Sequence, residues 1–293
     1  MICELCPRRC RALRTEEEGH GFCGMGTDPV VARAAPHFGE EPCISGPGGS
    51  GAVFFSGCTL GCLFCQNGSI SRGRFGKRVT PAQLRKIFLN LCGQGVRNLN
   101  LVTAGHFTDA VLQALEGGVP VPVIWNSSGY ERVESLRRLE GAVQVYLPDL
   151  KYLDGAMAAR YSSAPDYPER AKAAILEMFR QTGPYELDED GCIRKGVVLR
   201  HLVMPGDLEN TFRVMDWVAE TFRPGEILFS LMRQFTPQGG ADRYPELGRR
   251  ITPEEHRRAV DYLMASGIED GFYQDPDSSG EDAIPAFDLT GVN

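Results

Sequence analysis

Three cysteines, Cys58, Cys62 and Cys65, are the residues of this chain best suited to chemistry, and they follow directly on the apolar run of residues 52–55. Thiolates are soft ligands that suit iron–sulfur clusters, and a cubane cluster needs four ligands. Because this Cys-x3-Cys-x2-Cys loop supplies three, it predicts a [4Fe–4S] cluster with one iron open to a non-protein ligand. The alternatives are a zinc knuckle or three unrelated core cysteines. A zinc knuckle needs a fourth ligand, and no His or Asp follows Cys65 until well down the chain.

The pattern Cys-x3-Cys-x-aromatic-Cys, with Phe64 as its aromatic residue, resembles the signature of the radical S-adenosylmethionine (SAM) superfamily. In that superfamily the open iron binds the amino and carboxylate groups of SAM. One electron from the cluster then cleaves SAM to methionine and a 5′-deoxyadenosyl radical. The resemblance implies that Cys58, Cys62 and Cys65 ligate the cluster and that Phe64 packs near the adenine.

A repeating strand–helix pattern must position this loop. Thr80 as N-cap and Pro81 at the first helical position mark the start of the first helix. Alternating strands and helices predict an α/β fold with a parallel sheet and right-handed crossovers. Six such units are too few for a closed eight-stranded barrel. The sequence therefore predicts a partial (β/α)6 barrel, which is also the core that the resemblance implies. Apolar runs place its strands at 52–56, 98–103, 121–126, 143–147, 197–204 and 226–235.

Ligands of parallel α/β folds bind at the carboxyl ends of the strands, so polar residues there are candidates for the site. The second strand runs into Thr103, Ala104, Gly105 and His106. The chain resembles the pyruvate formate-lyase activating enzyme family, which has a Gly-Gly-Glu element here that binds the SAM amino group. The Glu is missing from this chain, so the carbonyls of Thr103 to Gly105 and the His106 side chain are the candidates. The alternative for His106 is a helix cap.

The third and fourth strands end in two further elements that resemble this family. The first is Asn126-Ser127-Ser128-Gly129, and the second contains Asp149 and Lys151. The resemblance implies that Asn126, Ser128, Asp149 and Lys151 line the SAM pocket, with Lys151 near the SAM carboxylate. Asn126 is neutral where the family has an acid, which leaves a cation site open. The alternative for Asp149 and Lys151 is a local ion pair.

The fifth strand contains Arg200 and His201, which are costly inside an apolar strand unless they are paired. Alternate residues of a strand face opposite sides, so we expect one of them to point into the barrel. Arg200 resembles the strand-five Arg of the activating enzymes, and both residues are predicted to contribute to the SAM site. By analogy, residues 232–234 of the sixth strand lie near the ribose or adenine.

A second cysteine pattern, formed by Cys3, Cys6, Cys10 and Cys23, lies at the N-terminus. Four thiolates satisfy zinc or complete an iron–sulfur site, and the sequence does not choose between these metals. A short Cys-rich segment cannot bury a core, so metal would supply its folding energy. The predicted organisation is a Cys-rich segment (1–45), a radical SAM partial barrel (46–268) and an acidic strap or tail (269–293).

Composition limits the remaining functions. The 293-residue chain has a net charge of −7, which argues against a general nucleic-acid binder. No apolar run of about 18 residues is present, so no membrane span is predicted. The N-terminus lacks the apolar region of a signal peptide. Ten cysteines without a signal peptide indicate metal ligands in a cytoplasmic protein.

The resemblance implies an oxidoreductase that binds SAM and abstracts hydrogen from a glycine of a partner protein, as glycyl-radical enzyme activases do. Flavodoxin or ferredoxin would be the electron donor. One alternative is a radical SAM enzyme that acts on a small molecule or peptide, and another is a non-catalytic, metal-stabilised binding or regulatory protein. The open iron favours an enzyme, because a purely structural cluster would be fully ligated.

Overall fold

The computed structural model describes residues 2–274 and 285–292, and one ten-stranded sheet organises these ranges. The strands are β1 (Val30–His37), β2 (Ser50–Phe55), β3 (Lys77–Arg78), β4 (Leu99–Val102), β5 (Val123–Ser127), β6 (Val145–Pro148), β7 (Glu186–Leu187), β8 (Ile193–Leu202), β9 (Leu228–Met232) and β10 (Gly271–Tyr273). The helices are α1 (Pro42–Ser45), α2 (Gly68–Ser71), α3 (Pro81–Gly93), α4 (Thr108–Leu115), α5 (Val133–Leu136), α6 (Gly155–Ser162), α7 (Tyr167–Thr182), α8 (Leu208–Thr221) and α9 (Pro253–Ala265).

The sheet order confirms the predicted α/β fold. Strands β2, β4, β5, β6, β8, β9 and β10 are neighbours in this order, and each adjacent pair is parallel. The first six of them are the predicted strands. Four sheet strands were not anticipated: β1, β3, β7 and β10, of which β3 and β7 have two residues each. β1, antiparallel to β2, contains Pro and Arg in a weak strand pattern, and β10 is only three residues long.

Capping residues fix where two of the long helices begin. The Thr80 hydroxyl accepts from the Gln83 N–H, and the Gln83 side chain accepts from the Thr80 N–H, as the Thr80–Pro81 pattern predicts. Thr252 and Glu255 form the same reciprocal pair before α9. Such caps contribute about 1 kcal/mol each. The helix α5 is short and passes into a 3-10 turn at Arg137–Leu139.

The core lies between the sheet and the helices that cover it. All six residues of β2 are buried, and so are all residues of β4, β5 and β6. Burial of both faces is typical of parallel strands, and it explains why these segments are continuously apolar. Because the strands are parallel, their carboxyl ends lie along one edge of the sheet, where polar side chains can meet.

The two terminal segments pack on the outside of this sheet. Residues 2–29 contain only turns and isolated bridges, such as the one between Ile2 and Leu13. Residues 285–292 run beside β1, where the Ala34 N–H donates to the Thr290 carbonyl at 2.8 Å and Arg33 pairs with Asp288 at 2.9 Å. The predicted strap also includes residues 275–284, which lie outside the described residues. No described helix has both the length and the apolar character to cross a membrane.

Candidate active site

A cavity of about 200 Å³ lies at the carboxyl ends of the parallel strands, and most of the predicted site residues line it. They come from separate loops and strand ends, which the parallel topology brings to one place. The predicted residues that line the cavity are Cys58, Cys62, Phe64, Cys65, Thr103, Asn126, Ser128, Asp149, Lys151 and Arg200.

The three cysteines enter the cavity on the loop that follows β2. Gly61 turns this loop with a left-handed φ of 65°, and its N–H donates to the Cys58 Sγ at 3.3 Å. The Ser162 hydroxyl donates to the Cys62 Sγ at 3.2 Å. Burial raises the pKa of Cys58 to about 12 and also raises the pKa of Cys62. Metal ligation needs thiolates, so a cluster bound here would displace the thiol protons.

This donor set fits a [4Fe–4S] cluster. Soft sulfur ligands from one short loop reach a shared cavity, and two of them accept hydrogen bonds of the kind that tune cluster sulfurs. Phe64 is buried beside them and packs against Phe235, with ring centroids 5.6 Å apart. Phe64 also lines the cavity.

In the same cavity, four charged residues form one network. Asp149 binds Lys151 at 2.7 Å and Arg200 at 3.2 Å, and Arg200 also binds Glu40 at 3.1 Å. The Arg200 guanidinium further donates to the Asn126 side-chain oxygen at 2.7 Å. Arg200 is thus the member of the Arg200–His201 pair that points inward, and it is fully paired there.

The network keeps its members charged despite burial. Burial alone would raise the pKa of Asp149, but Lys151 and Arg200 together outweigh it and lower that pKa. Burial alone would lower the pKa of Lys151, but Asp149 and the Cys62 thiol outweigh burial and raise that pKa. The cavity therefore presents an ammonium group beside the cysteines.

Thr103 occupies a strained backbone position on the same wall. Its φ is 63°, in the left-handed region that β-branched residues rarely adopt. Its N–H donates to the Asn126 carbonyl at 2.8 Å, which ties the ends of β4 and β5 together. Strain of this kind persists where the surrounding structure holds it, and it is concentrated at functional sites.

Three predicted site residues, Gly105, His106 and His201, do not line the cavity. The His106 ring is buried against the Ser56 carbonyl at 2.8 Å, and burial lowers its pKa to about 4. His201 lies on the other face of β8, between the Leu150 carbonyl at 2.6 Å and the Thr211 hydroxyl at 3.0 Å. Both histidines are buried, and their role at the site stays a prediction.

Gly105 has a different role, which involves a residue that sequence reasoning missed. A Cβ on Gly105 would lie 2.6 Å from the Glu131 carboxylate, so only glycine allows this close approach. Burial raises the pKa of Glu131 to about 7, although Trp125 and Ser127 act in the opposite direction. A carboxyl group thus lies directly behind the Thr103–Gly105 turn, contributed by the loop after β5.

Glu40 is a second missed residue, and it lines the cavity itself. It accepts from the Asn100 side chain at 2.9 Å and pairs with Arg200. The only sequence signal is the pair Glu40-Glu41 directly before Pro42, in a loop outside the strand–helix pattern.

The N-terminal cysteines lie within electrostatic reach of one another. Burial raises the pKa of Cys6 to about 12, and the thiols of Cys23 and Cys3 add to this increase. Burial also raises the pKa of Cys23, and the thiols of Cys3 and Cys10 add to this increase. In the described ranges, no group of three or more His, Cys, Asp or Glu side chains is arranged around one metal-ion position. A metal at these cysteines stays a prediction.

Comparison with known proteins adds family evidence to this geometry. Residues 44–161, which include all three cavity cysteines, match the family of 4Fe-4S single cluster domains. The chain is 30% identical over 271 residues to the uncharacterised protein MJ0674 of Methanocaldococcus jannaschii, covering 88% of this chain and 73% of that protein.

Three solved structures are similar at low sequence identity. A domain of pyruvate-formate lyase-activating enzyme from Bacteroides vulgatus is 12% identical, with a TM-score of 0.39, covering 67% of this chain and 91% of that domain. SuiB from Streptococcus suis bound to S-adenosylmethionine is 11% identical, with a TM-score of 0.49, covering 79% of this chain and 52% of SuiB. QueE from Escherichia coli is 11% identical, with a TM-score of 0.42, covering 84% of this chain and 93% of QueE.

The matched 4Fe-4S domain and the three-cysteine loop at the end of a parallel strand agree with each other. The chain belongs to the radical SAM superfamily, and its cofactors are a [4Fe–4S] cluster and S-adenosylmethionine.

Proposed function

We propose that this radical SAM enzyme abstracts a hydrogen atom from a glycine of a partner protein. The observation that carries the proposal is the mutual pairing of the charged groups in the cavity lining. The lining has four acidic and basic side chains, and they pair with one another: Glu40, Asp149, Lys151 and Arg200. The rest of the lining is apolar or carries neutral polar groups. A neutral, backbone-like substrate suits such a wall.

The chain's own residues have distinct roles in this proposal. Cys58, Cys62 and Cys65 hold the cluster, which when bound supplies the electron that cleaves SAM. Lys151 offers its ammonium to the SAM carboxylate, and Asp149 fixes the direction of Lys151 through the 2.7 Å contact. Phe64 provides a face for the adenine. A small redox protein such as flavodoxin or ferredoxin is the proposed electron donor.

The uncharged part of the lining carries amides and apolar groups. Gln66, Asn67, Gln234 and Gln238 line it together with apolar residues such as Phe54. Side-chain amides both donate and accept hydrogen bonds, as a peptide backbone does. Apart from the three cysteines, His37 is the remaining titratable residue of the lining, and burial lowers its pKa, which favours its neutral form. A charged metabolite would need an unpaired partner of opposite charge, because burying an unpaired charge is costly.

Glycine is the proposed target because it exposes its α-hydrogens without a side chain. An extended partner segment can therefore present it at the opening of the cavity, which has a volume of about 200 Å³.

We also propose that Cys3, Cys6, Cys10 and Cys23 bind a second metal, zinc or an iron–sulfur cluster. The supporting observation is the mutual electrostatic influence of these thiols within residues 2–29, which contain no helix. Metal ligation would supply folding energy that this segment cannot obtain from a core of its own.

The substrate proposal is tested by isotope transfer. Cells of the source organism are grown with glycine deuterated at the α-carbon, and the lysate is separated by ultrafiltration into proteins and small molecules. Each fraction is incubated with the reduced enzyme and SAM. We expect deuterium in 5′-deoxyadenosine from the protein fraction, and none from a matched fraction labelled at alanine. Transfer from the small-molecule filtrate alone would replace the proposal with a small-molecule substrate.

A further inference from the structure

The Arg8 side chain, which lies between Cys6 and Cys10 in the sequence, reaches across the fold to the cluster loop. Its Nε donates to the Thr59 carbonyl at 3.0 Å, and its Nη2 donates to the Leu60 carbonyl at 3.0 Å. Both acceptors belong to the loop between Cys58 and Cys62. The N-terminal segment therefore holds the backbone of the cluster loop directly.

The same guanidinium also holds the end of α6. Nη2 donates to the Ser162 carbonyl at 2.7 Å, and Nη1 donates to the Ser163 carbonyl. Ser162 in turn donates its hydroxyl to the Cys62 Sγ at 3.2 Å, while the Tyr152 hydroxyl lies 3.1 Å from the Ser162 hydroxyl. The Arg8 guanidinium thus links the cluster loop to Ser162, which donates a hydrogen bond to the cluster ligand Cys62.

The surroundings of Arg8 fix its side chain in this position. The guanidinium lies over the Phe22 ring, 3.9 Å from its centroid, and the Tyr130 ring lies 5.3 Å away. Phe22 also covers Gly61, where an added Cβ would meet the ring at 3.1 Å. The planar fork of an arginine suits several carbonyl acceptors at once, whereas a lysine ammonium acts as a point charge.

We propose that Arg8 is a positioning residue of the cluster loop, which it holds so that Ser162 donates to the Cys62 sulfur. Loss of Arg8 would leave four backbone carbonyls without a charged donor and would free the loop to move away from Ser162. Hydrogen bonds to cluster sulfurs set the reduction potential of the cluster. They stabilise the reduced cluster, which carries more negative charge, and so raise that potential. Arg8 therefore controls cluster retention and reduction potential from outside the cavity.

The test compares Arg8→Gln with Arg9→Gln. Both changes remove one positive charge and keep the aliphatic stem, but the Arg9 side chain is exposed. Both variants are reconstituted anaerobically and checked for folding by circular dichroism. A redox titration monitored by electron paramagnetic resonance then gives the reduction potential of the cluster. A chelator challenge measures the rate of iron loss. For Arg8→Gln we expect roughly a tenfold shift toward the oxidised cluster, equivalent to about 59 mV, with faster iron loss. Arg9→Gln should behave as wild type.

Two further variants keep the test decisive if Arg8→Gln does not fold. Arg8→Lys retains the charge but not the fork, so it should shift the potential in the same direction by a smaller amount. Ser162→Ala should lower the potential while the Arg8 contacts to the loop remain. A folded Arg8→Gln or Arg8→Lys variant with wild-type potential and iron retention would overturn the proposal. These readouts use no substrate, so their outcome is independent of the glycine proposal.

Discussion

The Lys151 ammonium lies 2.7 Å from the Asp149 carboxylate, although only one residue separates them in the chain. In a regular strand their side chains would share a face but stay farther apart. β6 ends at Pro148, but Asp149 still forms a parallel bridge with Arg200, and the Leu150 N–H donates to the Arg200 carbonyl at 2.8 Å. Both side chains line the cavity, with Lys151 close enough to Cys62 for that thiol to affect its pKa.

Lys151→Ala should weaken SAM binding by roughly tenfold to a hundredfold while the cluster remains intact. The lost contact is charge-assisted, and such contacts contribute about 1.5–3 kcal/mol. The measurement is a SAM titration followed by the electron paramagnetic resonance signal of the reduced cluster. Lys172→Ala, which breaks a surface pair with Glu169, is the matched control. Lower thermal stability with an unchanged dissociation constant would make Lys151 part of a structural ion pair only.

Glu131→Gln should change how stability depends on pH. The folded protein holds the pKa of Glu131 at about 7, above the ordinary value of 4.5. Between pH 4.5 and pH 7 the folded state binds more protons at this residue than the unfolded state does. The free energy of unfolding therefore decreases as pH rises through this range. The full effect is about 3 kcal/mol. Denaturant unfolding at several pH values should show this slope in wild type and lose it in Glu131→Gln.

The stability profile of Glu131→Gln has to be compared with that of the wild type, because two buried histidines also change stability with pH. Burial lowers the pKa of His106 and of His201 to about 4, from 6.5, so both lower stability as pH falls through their own window. Subtracting the Glu131→Gln profile from wild type cancels their contribution. A difference that does not change with pH would show that Glu131 titrates normally. Glu220→Gln, a surface change, supplies the background.

The N-terminal metal is tested without the SAM cluster. A triple Cys58/Cys62/Cys65→Ala variant should still contain metal, because the four N-terminal thiols form a separate ligand set. Elemental analysis should find about one zinc or about four irons per chain. A further Cys6→Ala change should remove it. If the triple variant purifies free of zinc and iron, the second site does not exist.

The fold could be predicted because it depends on local patterns. Apolar runs and helical periodicity gave the six parallel strands, and the topology then placed Thr103, Asn126 and Asp149 at one edge. Strand alternation also showed that only one of Arg200 and His201 could point inward. It could not show which, because the choice depends on partners from other elements. Arg200 finds Asp149 and Glu40 in the cavity.

The residues that were not predicted lie in segments outside the strand–helix pattern. Glu40 lies in the loop before β2, and Arg8 is more than 150 residues from the Ser162 and Ser163 carbonyls that it binds. Glu131 follows β5 but turns behind Gly105 rather than into the cavity. Loop conformations of this kind depend on tertiary contacts, and short-range sequence patterns do not contain them.

The most direct test of the account is reductive SAM cleavage by the reconstituted protein. Dithionite-reduced enzyme with a full [4Fe–4S] cluster should convert SAM to 5′-deoxyadenosine and methionine. Cys62→Ala should abolish the product, whereas Cys92→Ala, at a cysteine on α3 outside the cavity, should retain it. Product measured by chromatography and mass spectrometry would support the assigned chemistry. Persistent absence of 5′-deoxyadenosine from protein that carries a full cluster and binds SAM would contradict it and favour a binding or regulatory protein.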